Sequence, residues 1–147
     1  MVPRARAEQN VVVEERALIE DFLNGEAYAV AGASTDRSKY GNKVLRCYQQ
    51  AGRDVIPVNP RAEEVEGIAC VPDLSGLGAE VHGLSIITPP GVTAGLIEEA
   101  AKEGITRVWV QPGAEFPGLE GRCEELGIAC VSRGPCLLVV LGFSESL

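Results

Sequence analysis

The chain has 147 residues, of which 46% are hydrophobic, 23% charged and only 5% aromatic. That length suits one domain, and the apolar content excludes disorder as the main state. Its 13 basic against 21 acidic residues give a formal charge of −8, which excludes a general nucleic-acid binder because counterion release would oppose association.

Residues 1–10 are polar and expected to fray. From Val13 to Leu23, apolar residues at Val13, Ala17, Leu18, Phe22 and Leu23 recur at helical spacing, and Gly25 stands where a helix would stop. Ala27 to Ala31 is a continuous apolar run, the pattern of a strand covered on both faces. A helix over Gly41–Gln50 and a strand over Val55–Val58 follow, then a short apolar piece from Ile68 to Val71. The strand Gly83–Ile87 stops at Thr88-Pro89-Pro90, a helix from Val92 to Glu103 is closed by Gly104, and Arg107–Val110 reads as a strand. A helix over Leu119–Leu126 ends at Gly127, before a last strand over Ile128–Val131. Apolar strands alternating with helices predict an α/β fold: one Rossmann-like domain over residues 1–147, with a doubly wound, mostly parallel sheet and helices on both faces.

No apolar run approaches the ~20 residues that span a bilayer. Glu8, Glu14, Glu15, Glu20 and Asp21 occupy the region an export signal would need apolar, so a soluble, cytoplasmic protein is expected. The five cysteines, Cys47, Cys70, Cys123, Cys130 and Cys136, are odd in number and contain no C-x-x-C pair. With His82 the only histidine, neither a disulfide framework nor a metal site is indicated.

Doubly wound sheets bind ligands beyond the carboxyl ends of their strands, where the strand order reverses. The loops that fall there are 32–42, 59–61, 88–91, 111–115 and 132–136. Gly32-Ala33-Ser34 directly follows the first strand, where a glycine lets the backbone approach an anion at a helix start. The loop is neither G-x-G-x-x-G nor a phosphate-binding G-x-x-x-x-G-K-[ST] sequence, and a glycine serving only the turn is the structural alternative. Arg37, Lys39 and Lys43 cluster on an otherwise acidic chain, which points to an anionic ligand or to a solvated basic turn. The second strand ends in Val58-Asn59-Pro60-Arg61, without the carboxylate that bonds the ribose of NAD. Arg61 could instead pair with a ribose phosphate, which leaves NADP and coenzyme A as candidates.

Gly32-Ala33-Ser34, Lys39-Tyr40-Gly41-Asn42, Val58-Asn59-Pro60, Thr88-Pro89-Pro90 and Trp109-Val110-Gln111-Pro112-Gly113 together resemble the small CoA-binding domain family. That family is similar to the CoA-binding N-terminal domain of the succinyl-CoA synthetase α subunit. The match runs in order from Ala27 to Cys136. The resemblance implies a Rossmann-like domain holding CoA at its strand ends. Gly32, Ala33 and Ser34 would meet the diphosphate, and Lys39, Tyr40, Gly41 and Asn42 would close over the nucleotide. Val58, Asn59, Pro60 and Arg61 would lie near the adenosine end, and Thr88, Pro89 and Pro90 along the pantetheine arm. The family often carries Asp-Arg-Cys after its last strand, where this chain has Arg133-Gly134-Pro135-Cys136. The chain offers no candidate for the ligase's phosphorylated histidine.

Cys136 is the sharpest candidate for chemistry, a thiol that could face the end of the pantetheine arm, although no histidine or acid partner is visible to activate it. His82 starts its strand and belongs at the opposite edge of the sheet. Glu115 reads as a solvated loop carboxylate and Trp109 as core. The expected function is to bind CoA or a short acyl-CoA without catalysis, as a carrier, sensor or partner. The alternatives are an NADP-dependent reductase and a structural subunit with an empty nucleotide site.

Overall fold

The computed structural model describes the backbone of residues 4–145 and the side chains of residues 14–145. In chain order the elements are α1 Arg4–Leu23, β1 Ala27–Ala31, α2 Tyr40–Gln50, β2 Asp54–Val58, β3 Glu64–Val65, β4 Ile68–Ala69, β5 Gly83–Ile86, α3 Pro90–Lys102, β6 Arg107–Val110, α4 Leu119–Leu126, β7 Ala129–Val131 and α5 Leu137–Val140. Among the described residues no helix is long and apolar enough to cross a membrane.

The main sheet has five strands in the order β2-β1-β5-β6-β7, and every pairing in it is parallel. β1 pairs with β2 on one side and with β5 on the other, so the winding direction reverses between β1 and β5. This is the reversal that opens a ligand crevice in doubly wound folds.

Strand alternation divides the core into two layers. Tyr28 and Val30 of β1 join Phe22 of α1, Val44, Leu45 and Tyr48 of α2, and Trp109 of β6 on one face. Ala29 and Ala31 join Leu84, Ile86, Ile97, Val108, Val110 and Leu119 on the other, under α3 and α4. Helices therefore cover both faces, and the near-continuous apolar strands are the consequence. Tyr28 stacks on Tyr48 with ring centroids 4.7 Å apart, and the Tyr48 hydroxyl shares a 2.6 Å hydrogen bond with Ser85. Burial pushes the Tyr48 phenol far up, so it stays a neutral partner.

Several elements differ from the sequence expectation. α1 begins at Arg4, well ahead of Val13, so residues 4–10 have helical backbone where fraying was expected; residues 1–3 lie outside the description. The apolar piece at 68–71 is the second half of an antiparallel hairpin with β3, turning at Glu66-Gly67 with positive φ at both residues. Leu137–Val140, unassigned from sequence, forms the short α5. α3 starts at Pro90, two positions before its apolar stripe, because proline is favoured in the first turn of a helix.

Candidate functional site

The loop after β1 is the centre of the crevice. Gly32 has φ +89°, and a Cβ there would collide with the Ile87 carbonyl oxygen at the end of β5. Gly41, in the first turn of α2, lies equally close to the Gly32 carbonyl. Only glycine permits these two approaches, which bring the start of α2 down onto the ends of β1 and β5.

Two asparagines hold the loop in place. Asn59 Nδ2 donates to the Ala33 carbonyl at 2.8 Å, while its Oδ1 accepts from the Arg61 and Ala62 amides at 2.7 and 2.9 Å. Asn42 Nδ2 donates to the Ser34 carbonyl at 2.9 Å and to Glu66 Oε2 at 3.2 Å, and its Oδ1 accepts from the buried Arg46 Nε at 2.7 Å. With both carbonyls engaged inward, no turn or loop hydrogen bond among the described residues takes up the Ala33 or Ser34 amide. The loop continues into a self-stapled turn: Ser34 Oγ accepts from the Asp36 amide at 3.1 Å, and Asp36 Oδ1 accepts from the amide and hydroxyl of Ser38 at 2.9 and 2.7 Å. Those Ser38 hydrogen bonds hold the Asp36 carboxyl below its ordinary range. α2 and α3 both begin at this end of the sheet, adding the positive ends of two helix dipoles.

Two cavities flank the loop. One of about 230 Å³ is lined by Gly32, Ala33, Val58, Asn59, Pro60 and Thr88, with Pro72, Asp73, Val92, Leu96 and Glu99 completing its wall. The other, about 310 Å³, is lined by Tyr40, Ile87, Gln111, Pro112 and Cys136. Ile87 faces one cavity and its neighbour Thr88 the other, so the two meet at the end of β5. Thr88 Oγ1 is tied to Thr93 Oγ1 at 2.7 Å, which fixes the Thr88-Pro89-Pro90 corner; Pro89 and Pro90 themselves are exposed.

The basic cluster is less free than its sequence implied. Arg37 pairs with Glu66 at 3.6 Å, and Lys43 and Arg46 both pair with Glu145, at 3.3 and 3.4 Å. Lys39, Tyr40 and Arg61 are exposed at the mouth of the crevice, and Arg61 lines neither cavity. Cys136 lies in the second cavity, where its sulfur accepts from Gln111 Nε2 at 3.4 Å while Gln111 Oε1 accepts from the Leu137 amide at 2.8 Å. Glu115 accepts from the Gly113 amide at 2.7 Å, stapling its own turn. His82 stands at the amino-terminal end of β5, bonded to the Asp21 carbonyl at 2.7 Å, and Trp109 is core, its indole N–H donating to Pro135 O at 3.1 Å.

Sequence reasoning missed Val92, Leu96 and Glu99, which present one stripe of α3 to the first cavity, and Pro72 and Asp73 after the hairpin. The i, i+4, i+7 spacing of the α3 residues was a readable sign of a common face. What that face would cover was not.

Residues 26–142 match a family model described as a CoA binding domain. The α subunit of an ADP-forming acetate–CoA ligase II from Pyrococcus furiosus is 31% identical over 110 residues, covering 74% of this chain and 24% of the subunit. This chain thus spans about a quarter of that relative's length. A conserved hypothetical protein of Pyrococcus furiosus superposes with TM-score 0.74 and 34% identity, covering 79% of this chain and 98% of that one. A dinucleotide-forming acetyl-coenzyme A synthetase 1 from Ca. Korarchaeum cryptofilum, in complex with phosphate and ADP, superposes with TM-score 0.68 and 31% identity over 80% of this chain and 27% of its own. With the family model matched from the start of β1 to beyond α5, the chain belongs to the CoA-binding domain family.

Proposed function

We propose that the chain binds coenzyme A, free or as a short acyl thioester, across the carboxyl ends of β1, β2 and β5, and performs no chemistry on it, acting as a carrier, sensor or partner of another enzyme. The observation that carries this reading is the Gly32–Ser34 turn, braced from β2 by Asn59 and from α2 by Asn42 so that its carbonyls face inward. A diphosphate set against the Ala33 and Ser34 amides would meet backbone donors and two helix starts at once. Asp73 and Glu99 make the first cavity unfavourable for phosphate and suitable for adenine, whose amino group can donate to a carboxylate. A 3′-phosphate would then remain at the mouth near Arg61, and the pantetheine arm would pass Thr88–Pro90 toward Tyr40 and Cys136.

A non-catalytic role is favoured by the state of the candidate groups. The Cys136 sulfur is engaged by Gln111, Glu115 by its own turn, and His82 stands at the far end of the sheet.

Calorimetric titration of the reduced protein with CoA, dephospho-CoA and NADP tests the proposal. Micromolar CoA binding, about 8 kcal/mol of interaction, that weakens without the 3′-phosphate is the expected result. NADP binding without CoA binding would replace this reading with the reductase. Heat from none of the three would remove it.

A further inference from the structure

Two of the cysteines face each other away from the ligand crevice. On α4, Glu120 and Cys123 are three residues apart and share one face of the helix. On β7 and its continuation, Cys130 and Ser132 are two apart and point to the same side. Ser132 Oγ donates to Glu120 Oε1 at 3.0 Å and Arg133 Nε to the same oxygen at 2.6 Å, which registers the strand against the helix. One turn forward along α4 and two residues back along β7, which runs the opposite way, that register sets Cys130 opposite Cys123. The other end of the connection is pinned by the Ile128 amide donating to the Cys123 carbonyl at 2.8 Å. Cys123 is buried in the α3–α4 core layer, and Cys130 packs against that same layer. Cys130, only half-buried, also lines a cavity of about 310 Å³ bounded by Glu14, Leu18, Glu120, Ser132 and Arg133.

We propose that Cys123 and Cys130 form a reversible disulfide that ties α4 to the edge strand β7, making this corner an oxidation site separate from the ligand crevice and independent of the CoA reading. The oxidant is a small hydroperoxide. The Cys130 sulfur attacks its terminal oxygen: an S–O bond forms, the O–O bond breaks, and the thiol proton leaves with the alkoxide as alcohol. The Cys123 sulfur then attacks the Cys130 sulfur: the S–S bond forms, the S–O bond breaks, and the hydroxide leaves with the Cys123 proton as water. Two electrons pass from the sulfurs to the hydroperoxide. The neighbouring Cys130 thiol eases the proton off Cys123, while Cys123 and burial hold Cys130 protonated. The first step is thereby slower than at a free thiolate.

The test is oxidation of the full chain with tert-butyl hydroperoxide, followed by denaturing alkylation and peptide mapping with and without prior reduction. Before oxidation all five cysteines alkylate. After oxidation the expected product carries alkyl groups only on Cys47, Cys70 and Cys136, with the Cys123 and Cys130 peptides linked until reductant is added. Cys130→Ser, a half-buried position, is expected to keep Cys123 alkylatable under the same treatment. Alkylation of Cys123 and Cys130 in the oxidised wild type, a link to any other cysteine, or conversion of either to sulfinic acid without a link would overturn the proposal.

Discussion

The side-chain amide of Asn59 donates to the Ala33 carbonyl at 2.8 Å, so the end of β2 sets the conformation of the loop that follows β1. The same side chain closes its own turn through the Arg61 and Ala62 amides. Asn59→Ala removes three hydrogen bonds and leaves a partly buried carbonyl without its donor, a destabilisation of about 1–3 kcal/mol. Asn59→Asp keeps both acceptor contacts but sets a carboxylate against the Ala33 oxygen. Both variants are expected to weaken CoA binding by about tenfold or more. Calorimetry beside thermal melts separates the effects. Unchanged CoA affinity in a folded Asn59→Asp protein would show that the loop is not the diphosphate site.

The approach of Gly41 to Gly32 is a backbone contact, with no flexible side chain to give way. Gly41→Ala must push α2 away from the β1 loop, although alanine is otherwise the better helix former. The melting temperature should fall, and CoA affinity should fall with it. Gly95→Ala, at an exposed α3 position with nothing within 4 Å of the added Cβ, should stabilise by up to about 1 kcal/mol and leave affinity unchanged. A stable, fully binding Gly41→Ala would mean the crevice tolerates an opened loop.

These two contacts also mark where the sequence stopped being legible. β1 was read to the residue because a strand buried on both faces leaves an uninterrupted apolar run, and Gly32 and Gly127 punctuated their elements plainly. The β3–β4 hairpin was half lost, because Glu63, Glu64 and Glu66 surround its single buried residue, Val65. The run Cys136–Leu141 carries no polar residue to mark a period, so α5 went unassigned. In the crevice, Gly32, Asn42 and Asn59 were selected, but as ligand contacts. Their observed partners are backbone carbonyls that only folding brings near. The partners of the charges were hidden for the same reason: Glu66 and Glu145, which pair with Arg37 and Lys43, lie far away in the chain.

Beneath the site, Tyr48 and Ser85 satisfy each other at 2.6 Å with both side chains fully buried. Tyr48→Phe strands the serine hydroxyl, and Ser85→Ala strands the phenol. Each single variant should lose about 1–3 kcal/mol. The double variant should lose less than the sum, because no unpaired buried polar group remains. Denaturant unfolding of the four proteins gives the coupling, and an additive result would indicate that water reaches this pair.

The Arg133 guanidinium, with Ser132, holds the Glu120 carboxyl below its ordinary range. A carboxyl depressed in the folded state stabilises above its unfolded pKa, and that contribution is lost as pH falls through the ordinary carboxylate range toward the folded value. Because both side chains are about half exposed, solvent screening keeps the effect small. Glu120→Gln should therefore lower the melting temperature slightly at neutral pH and converge with wild type in acid. Parallel curves across the whole range would show that the pair contributes nothing. The same substitution weakens the register that sets Cys130 opposite Cys123, so it should also slow formation of their disulfide.

Arg61 offers the sharpest discrimination of ligand chemistry. Its side chain is exposed at the mouth, while its backbone amide is held by Asn59, so truncating it should leave the fold intact. A guanidinium paired with a ribose phosphate contributes about 1.5–3 kcal/mol, roughly a tenfold or greater loss of affinity on removal. Arg61→Ala should weaken CoA by that amount and leave dephospho-CoA unaffected, because the latter lacks the 3′-phosphate that Arg61 would pair with. The difference between the two ligands should also shrink as salt rises, since an exposed ion pair is screened. If Arg61→Ala weakens both ligands equally, the residue acts on the diphosphate or through general charge, and the adenosine end of the ligand does not lie beside β2.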